Sequence, residues 1–285
     1  MEKRTLGSTG DSLSILGFGG VTLVGLNQDA SNELVENAID NGINYFDVAP
    51  SYGKNQETEV SMGTALRSHR KNVFLACKTG CRDAKGASEE MLRSLNNLQT
   101  DYFDLYQLHA LSSVEDVQAC FAPGGAMDCI IEAQRKGQIR HIGFSAHSSE
   151  AALLAMEMYP FASALFPVNF VIWQEGHFGP EIAQKAAEKN VGRLALKAMA
   201  RTNWAEGAVR DYPNCWYEPL TDAYHAELAL RWTLSKDITA AIPPGDPRLF
   251  ALALKIAKNF TPIDSDQLNE LQNMATGLAP LFKVA

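Results

Sequence analysis

The sequence predicts an α/β chain closed into a (β/α)8 barrel of the TIM type, carrying an N-terminal β-hairpin and an extra C-terminal helix. Three observations lead there. The 285 residues fall inside the usual span of a single barrel domain. Short apolar runs rich in β-branched and aromatic residues alternate with longer amphipathic stretches from one end to the other, the pattern of repeated βα units and a parallel sheet. About eight such pairs occur, and no G-x-G-x-x-G follows the first run, as an open doubly wound sheet would require.

The elements follow in order. Arg4-Thr5-Leu6 and Leu13-Ser14-Ile15 flank Gly7-Ser8-Thr9-Gly10-Asp11, whose glycines supply the positive φ of a tight reversal, so a small hairpin is expected at the barrel bottom. Strands are expected at residues 14–19, 43–49, 73–79, 102–109, 139–145, 164–169, 192–199 and 240–243. Helices are expected at 30–41, 56–68, 88–97, 127–136, 149–158, 180–189, 222–234 and 247–258. Leu268, Leu271, Met274 and Leu278 recur at helical spacing after the capping candidates Asp264 and Ser265, which places a final helix on the outside. No linker interrupts the repeat, so residues 1–285 read as one domain.

Composition narrows the function classes. With 46% hydrophobic and 20% charged residues the chain has material for a large core, and its net charge of -8 argues against nucleic-acid or anionic-membrane binding. Any phosphate-bearing ligand must be held by a local feature. Met1-Glu2-Lys3-Arg4 opens no apolar signal region, and no run approaches a membrane span. Cys77, Cys81, Cys120, Cys129 and Cys215 are odd in number and lack a C-x-x-C spacing, which reads as reduced thiols in a cytoplasm.

In a barrel of this kind the carboxyl ends of the strands converge on one mouth. The second strand ends in Asp47 and runs through Pro50-Ser51 into Tyr52; the third ends in Lys78-Thr79; the fourth ends in His109. Each taken singly has a structural reading as a turn former, a surface ring or a paired charge. Together they are more telling. A Lys inside an apolar strand is costly unless paired, and Asp47 lies on the neighbouring strand at the same depth. A phenol is a reluctant acid at neutral pH, and a neighbouring ammonium stabilises its phenolate. Lys78 would tune Tyr52, Asp47 would charge-balance Lys78, and His109 would orient a carbonyl oxygen toward the phenol.

Phe46-Asp47-Val48-Ala49-Pro50-Ser51-Tyr52-Gly53 resembles the stretch of the aldo-keto reductase family that holds the catalytic Asp and Tyr, and Lys78 and His109 fall where that family has its Lys and His. The likeness covers nearly the whole chain, including Gly137-Gln138-Ile139-Arg140-His141-Ile142-Gly143-Phe144-Ser145, similar to the family's fifth-strand motif. It implies hydride transfer between NADP(H), with NAD(H) as the other possibility, and a small carbonyl or alcohol. It also implies cofactor contacts at Gly19, Gly20, Asp47, Ser145, Asn169, Gly245 and Arg248, with Arg248 set against a 2′-phosphate. Where the family commonly has Asn and a stacking aromatic, this chain has Ala146 and Lys197, and Lys197 either meets the pyrophosphate or is a paired structural residue. The Glu-Asn pair that usually follows the Arg is replaced by Ala251 and Leu252. Trp173 in the loop 171–179 is expected to wall the substrate together with Tyr52 and His109, and the loop 200–220, with Trp204, Trp216 and Tyr217, is expected near the same mouth.

Two rivals are weighed against this reading. A metal-dependent hydrolase using His109, His141, His147 and Asp47 lacks a tight His-x-His or His-x-x-x-His pair and leaves Tyr52 and Lys78 unexplained. A non-catalytic, cofactor-binding regulatory subunit with the same barrel would not need the four intact residues. No cysteine follows Cys215, so no iron-sulfur extension is expected, and the sequence leaves the oligomeric state open.

Overall fold

A computed structural model describes residues 1–284. The chain opens with the hairpin: β1 (Lys3–Thr5) pairs antiparallel with β2 (Ser12–Ser14), and Gly10 takes φ 81° in the reversal. The repeat then runs β3 (Phe18–Gly19), α1 (Gln28–Asp40), β4 (Tyr45–Asp47), α2 (Glu57–Leu66), β5 (Phe74–Thr79), α3 (Ala84–Asn97), β6 (Phe103–Leu111), α4 (Val114–Phe121), α5 (Ala126–Arg135), β7 (Ile139–Ala146) and α6 (Ser149–Met158). It continues with β8 (Ser163–Pro167), α7 (Phe170–Gln174), α8 (Pro180–Glu188), β9 (Gly192–Leu196), the hairpin strands β10 (Ala200–Asn203) and β11 (Tyr217–Pro219), α9 (Ala223–Ser235), β12 (Ala240–Ala241), α10 (Pro247–Lys258) and α11 (Ser265–Ala275).

The eight staves are parallel, in the order β3-β4-β5-β6-β7-β8-β9-β12. The seam between first and last is closed by Gly17 N donating to Ala241 O at 3.0 Å and Ala241 N donating to Ile15 O at 2.9 Å. The run expected as one strand at 14–19 is therefore two elements. Ser14 turns its hydroxyl onto Leu16 O and takes the Asn44 side chain on its own N–H, so the chain leaves the hairpin before it enters the barrel.

Local chemistry starts the helices where the sequence marks them. Side-chain oxygens of Asn27, Asp83, Ser113, Ser148, Asp222 and Asp246 each accept from a first-turn N–H. Asp264 and Gln267 make a full capping box ahead of α11. The core has two layers. Inside the barrel Leu6 and Leu13 of the opening hairpin pack with Tyr45, Phe74, Ala76, Leu105, Leu165, Leu194 and Ala240 and stopper the bottom. Outside it, the opposite strand faces and the apolar stripes of the helices form a second, larger cluster.

Candidate active site

Side chains alternate across a strand, so every second residue of a stave points into the barrel. On three neighbouring staves that inner face is apolar low down and ionisable at the top: Tyr45 then Asp47, Phe74 and Ala76 then Lys78, Leu105 then Gln107. The strands thus lift an acid, an ammonium and an amide to one level above a dry core. Lys78 and Asp47 are almost fully buried and form an ion pair.

The pair is well satisfied. Lys78 Nζ donates to Asp47 Oδ1, to Val48 O at 3.3 Å and to the Tyr52 hydroxyl at 3.3 Å. Asp47 Oδ2 accepts from the Tyr45 hydroxyl at 3.2 Å and from Gln107 Nε2 at 3.1 Å. The Tyr52 and His109 rings stand edge to face with centroids 5.9 Å apart. Tyr45 and Gln107 were not singled out in the sequence, although period two places each on the inner face beside a residue that was.

Burial sets the protonation states here. It pushes the Tyr52 phenol up, and Lys78 offsets only part of that, so the phenol holds its proton. Burial pulls the Lys78 ammonium down, but Asp47 and Tyr52 outweigh it and its pKa is raised, keeping it charged. Burial, with the Lys78 charge beside it, holds His109 down to about 3, so its imidazole is neutral at ordinary pH.

A cavity of about 360 Å³ opens over these groups. Gly19, Asp47, Tyr52, His109, Lys197 and Gly245 line it, as do His147, Asn214, Trp216, Tyr217 and Ile242. A Cβ at Gly245 would come within 2.3 Å of Val21, so a bare backbone is needed where α10 begins beside the cavity. Arg248, in the first turn of α10, is shared: Nε and Nη2 hold Asp246, Nη2 also donates to Asp211 O at 2.7 Å, and its guanidinium lies over the Tyr212 ring at 4.3 Å. Its side chain is still 61% exposed.

Other residues named from the sequence lie elsewhere. Gly20 sits behind the wall against Val48. The buried Ser145 hydroxyl accepts from Ala110 N at 2.7 Å. Asn169 is spent on backbone: its oxygen caps α7, and its amide donates to Lys197 O and Ala200 O. Trp173 is not at the mouth. It packs edge-on against Trp232 under Lys236, in an outer groove between α7, α9 and α11, because α7 turns that ring away from the barrel axis. Trp216 and Tyr217 form the aromatic wall instead, carried there by the β10–β11 hairpin. His141 pairs with Asp11 at 2.7 Å near the opening hairpin, so it does not join His109, His147 and Asp47; among the described residues no group of three or more His, Cys, Asp or Glu is placed to hold a metal ion. Nor is any helix of the described residues long and apolar enough to cross a membrane.

Residues 15–275 match the model of the Aldo/keto reductase family. The chain is 34% identical over 167 residues to an aldo-keto reductase, YhdN, of Bacillus subtilis, and 30% identical over 158 residues to the uncharacterized oxidoreductase YqkF of the same organism. These two matches take in 53% and 51% of this chain, and about half of each relative's own length, 48% and 49%. Methylglyoxal reductase DkgA of Escherichia coli is 26% identical over 265 residues, 87% of either chain. Among solved structures, the holo form of an aldo-keto reductase from Bacillus halodurans superposes with a TM-score of 0.76 at 22% identity, covering 99% of this chain and 98% of that one, a likeness of fold.

Proposed function

The chain belongs to the aldo/keto reductase family, and from that premise we propose that it reduces the carbonyl of a small aldehyde or ketone, or oxidises the matching alcohol, using NADP(H), with Tyr52 as general acid and base. The observation that carries the reading is the buried Asp47–Lys78 pair touching the Tyr52 hydroxyl beside a neutral imidazole. A bound nicotinamide supplies or takes the hydride; the rest is the work of this chain's side chains.

Tyr52 keeps its proton until negative charge gathers on the substrate oxygen, then donates it from a hydroxyl already bonded to Lys78. Lys78 stabilises the phenolate so formed, and Asp47, anchored by Tyr45 and Gln107, keeps the ammonium aimed. His109, neutral, donates a hydrogen bond to the carbonyl oxygen without competing as an acid. The residues fit a dinucleotide as follows: Gly19 and Gly245 give close backbone approach beside the cavity, and the exposed part of Arg248 meets a 2′-phosphate, while the Arg248 N–H in the first turn of α10 is already held by the Asp246 carboxylate. The name of the Escherichia coli relative, a methylglyoxal reductase, fits a small carbonyl substrate.

The test is Tyr52→Phe, which keeps the ring and removes the proton donor. Single-turnover reduction of a reactive aldehyde with NADPH bound should slow by a factor of roughly 10² to 10⁴ while NADPH affinity stays. A retained single-turnover rate would overturn the assignment, and a parent protein that binds NADPH but turns over no carbonyl would make the barrel a cofactor-binding regulator.

A further inference from the structure

Stave β6 carries one residue too many for its neighbour. Along β7 it pairs Leu108 with Phe144 and then Leu111 with Ala146, so His109 and Ala110 together oppose the single residue Ser145. The count matches the sequence. Leu108 and Leu111, three positions apart, both pack in the cluster outside the barrel, which a strand of period two allows only if a residue between them is taken up in a bulge. Ala110 is that residue, and it sits at φ 53°, where a side chain is strained. The step leaves His109 in line with Gln107 on the inner face, turned to the cavity and to the Tyr52 ring.

A bulged residue loses its ladder partners, and here side chains from both neighbouring staves take their place. On the β7 side, the buried Ser145 hydroxyl accepts from Ala110 N at 2.7 Å. On the β5 side, Arg82, in the loop that follows that stave, donates from Nη2 to Ala110 O at 3.2 Å. Arg82 is itself fixed by Asp116 Oδ1 at 3.1 Å, while Asp116 Oδ2 accepts from Ser112 N at 2.9 Å, two residues past the bulge. Pairing resumes as His147 N donates to Leu111 O at 2.9 Å. An alanine without these partners relaxes out of positive φ, and with Leu111 anchored outside the barrel the rotation swings His109. Resting on the reductase reading above, we propose that Ser145 and Arg82 are positioning residues, which latch the bulged Ala110 and so hold the His109 imidazole where it meets the carbonyl oxygen beside Tyr52.

The experiment follows reduction of benzaldehyde by the full-length protein at saturating NADPH, in the parent, Ser145→Ala, His109→Gln and the double variant, with NADPH affinity read separately by tryptophan fluorescence. Ser145→Ala should lower kcat/KM for the aldehyde by roughly ten- to a hundredfold, the cost of a displaced orienting group, and leave NADPH affinity unchanged. In the His109→Gln background the same change should cost little, because a residue that acts through His109 has nothing left to act on. A loss of equal size in both backgrounds overturns the proposal, as does a loss matched by weakened NADPH binding, which would make Ser145 a cofactor contact. If Ser145→Ala proves unfolded by its urea midpoint, Arg82→Gln releases the same residue from a partly exposed position and goes through the same cycle, with the same results upholding or overturning the latch. A second readout needs no turnover. The His109 imidazole signals, assigned by their loss in His109→Gln, carry the ring-current shift of the Tyr52 ring 5.9 Å away and should move toward ordinary values in Ser145→Ala. If the parent reduces no aldehyde, the reductase reading fails and this signal alone decides the latch: a moved resonance upholds it and an unchanged one overturns it.

Discussion

Lys78 sits at the centre of the proposed site, bonded to Asp47 and to the Tyr52 hydroxyl. It holds Asp47 and touches Tyr52 from inside the barrel wall, so in the proposed mechanism a neutral substitute would change charge balance and proton transfer together. Lys78→Met keeps the stem's volume. It should nearly abolish carbonyl reduction and lower stability by on the order of 1 to 3 kcal/mol, since Asp47 keeps only its two neutral donors, Tyr45 and Gln107. Steady-state turnover beside a urea midpoint measures both, and near-normal turnover would rule out the tuning role. Asp47, Tyr52, Lys78 and His109 were legible in the sequence because ionisable residues at the ends of apolar runs break a pattern. Gln107 was not, because an uncharged amide inside a strand breaks nothing, and its partner lies sixty positions away. Trp173 misled for the opposite reason: a tryptophan in an expected loop reads as a pocket wall until the loop proves to be a helix turning that ring outward.

At the scale of elements, staves and their following helices were readable because burial imposes the periods. The additions were not. α4 is only eight residues long and ends at Ala122-Pro123-Gly124-Gly125, so its pattern is too short to separate from a turn. β10 and β11 are short strands joined by a long connection, and their bulged pairing is set by contacts that the sequence between them does not reveal. α10 carries the element-scale prediction. Arg248 in its first turn is partly claimed by Asp246 and Asp211 but mostly exposed, so the 2′-phosphate of the proposed NADP(H) would have to share it. Arg248→Ala should weaken NADPH by roughly tenfold and NADH little, the scale of one charge-assisted contact. Tryptophan quenching with both cofactors checks this, and equal loss for the two would remove the 2′-phosphate role.

For the molecule as a whole, two half-buried imidazoles shape behaviour in mild acid. His109 is held down to about 3 and His147 to about 4, in each case first by burial, then by Lys78 for the former and Lys197 for the latter. The unfolded chain takes up those protons below about 6.5, whereas the folded one does not until far lower. Stability from this source is fully present above pH 6.5 and drains away as pH falls toward 4 and then 3. Urea midpoints should drop between pH 7 and 5, before carboxylates titrate, and a His109→Gln, His147→Gln double variant should show a flatter profile over that window. A parent profile already flat there would contradict the two low values.

The seam of the barrel joins Ile15 and Gly17 to Ala241. Those partners are made more than two hundred residues apart, so on a ribosome adding about 5–20 residues each second the first stave waits roughly 10 to 45 s for the last to emerge. Through that interval β3 has a neighbour on one side only, and the open edge is a site where another nascent chain can pair. The sheet is stitched shut late, so the yield of closed barrels depends on how long the open edge of β3 stays exposed as well as on final stability.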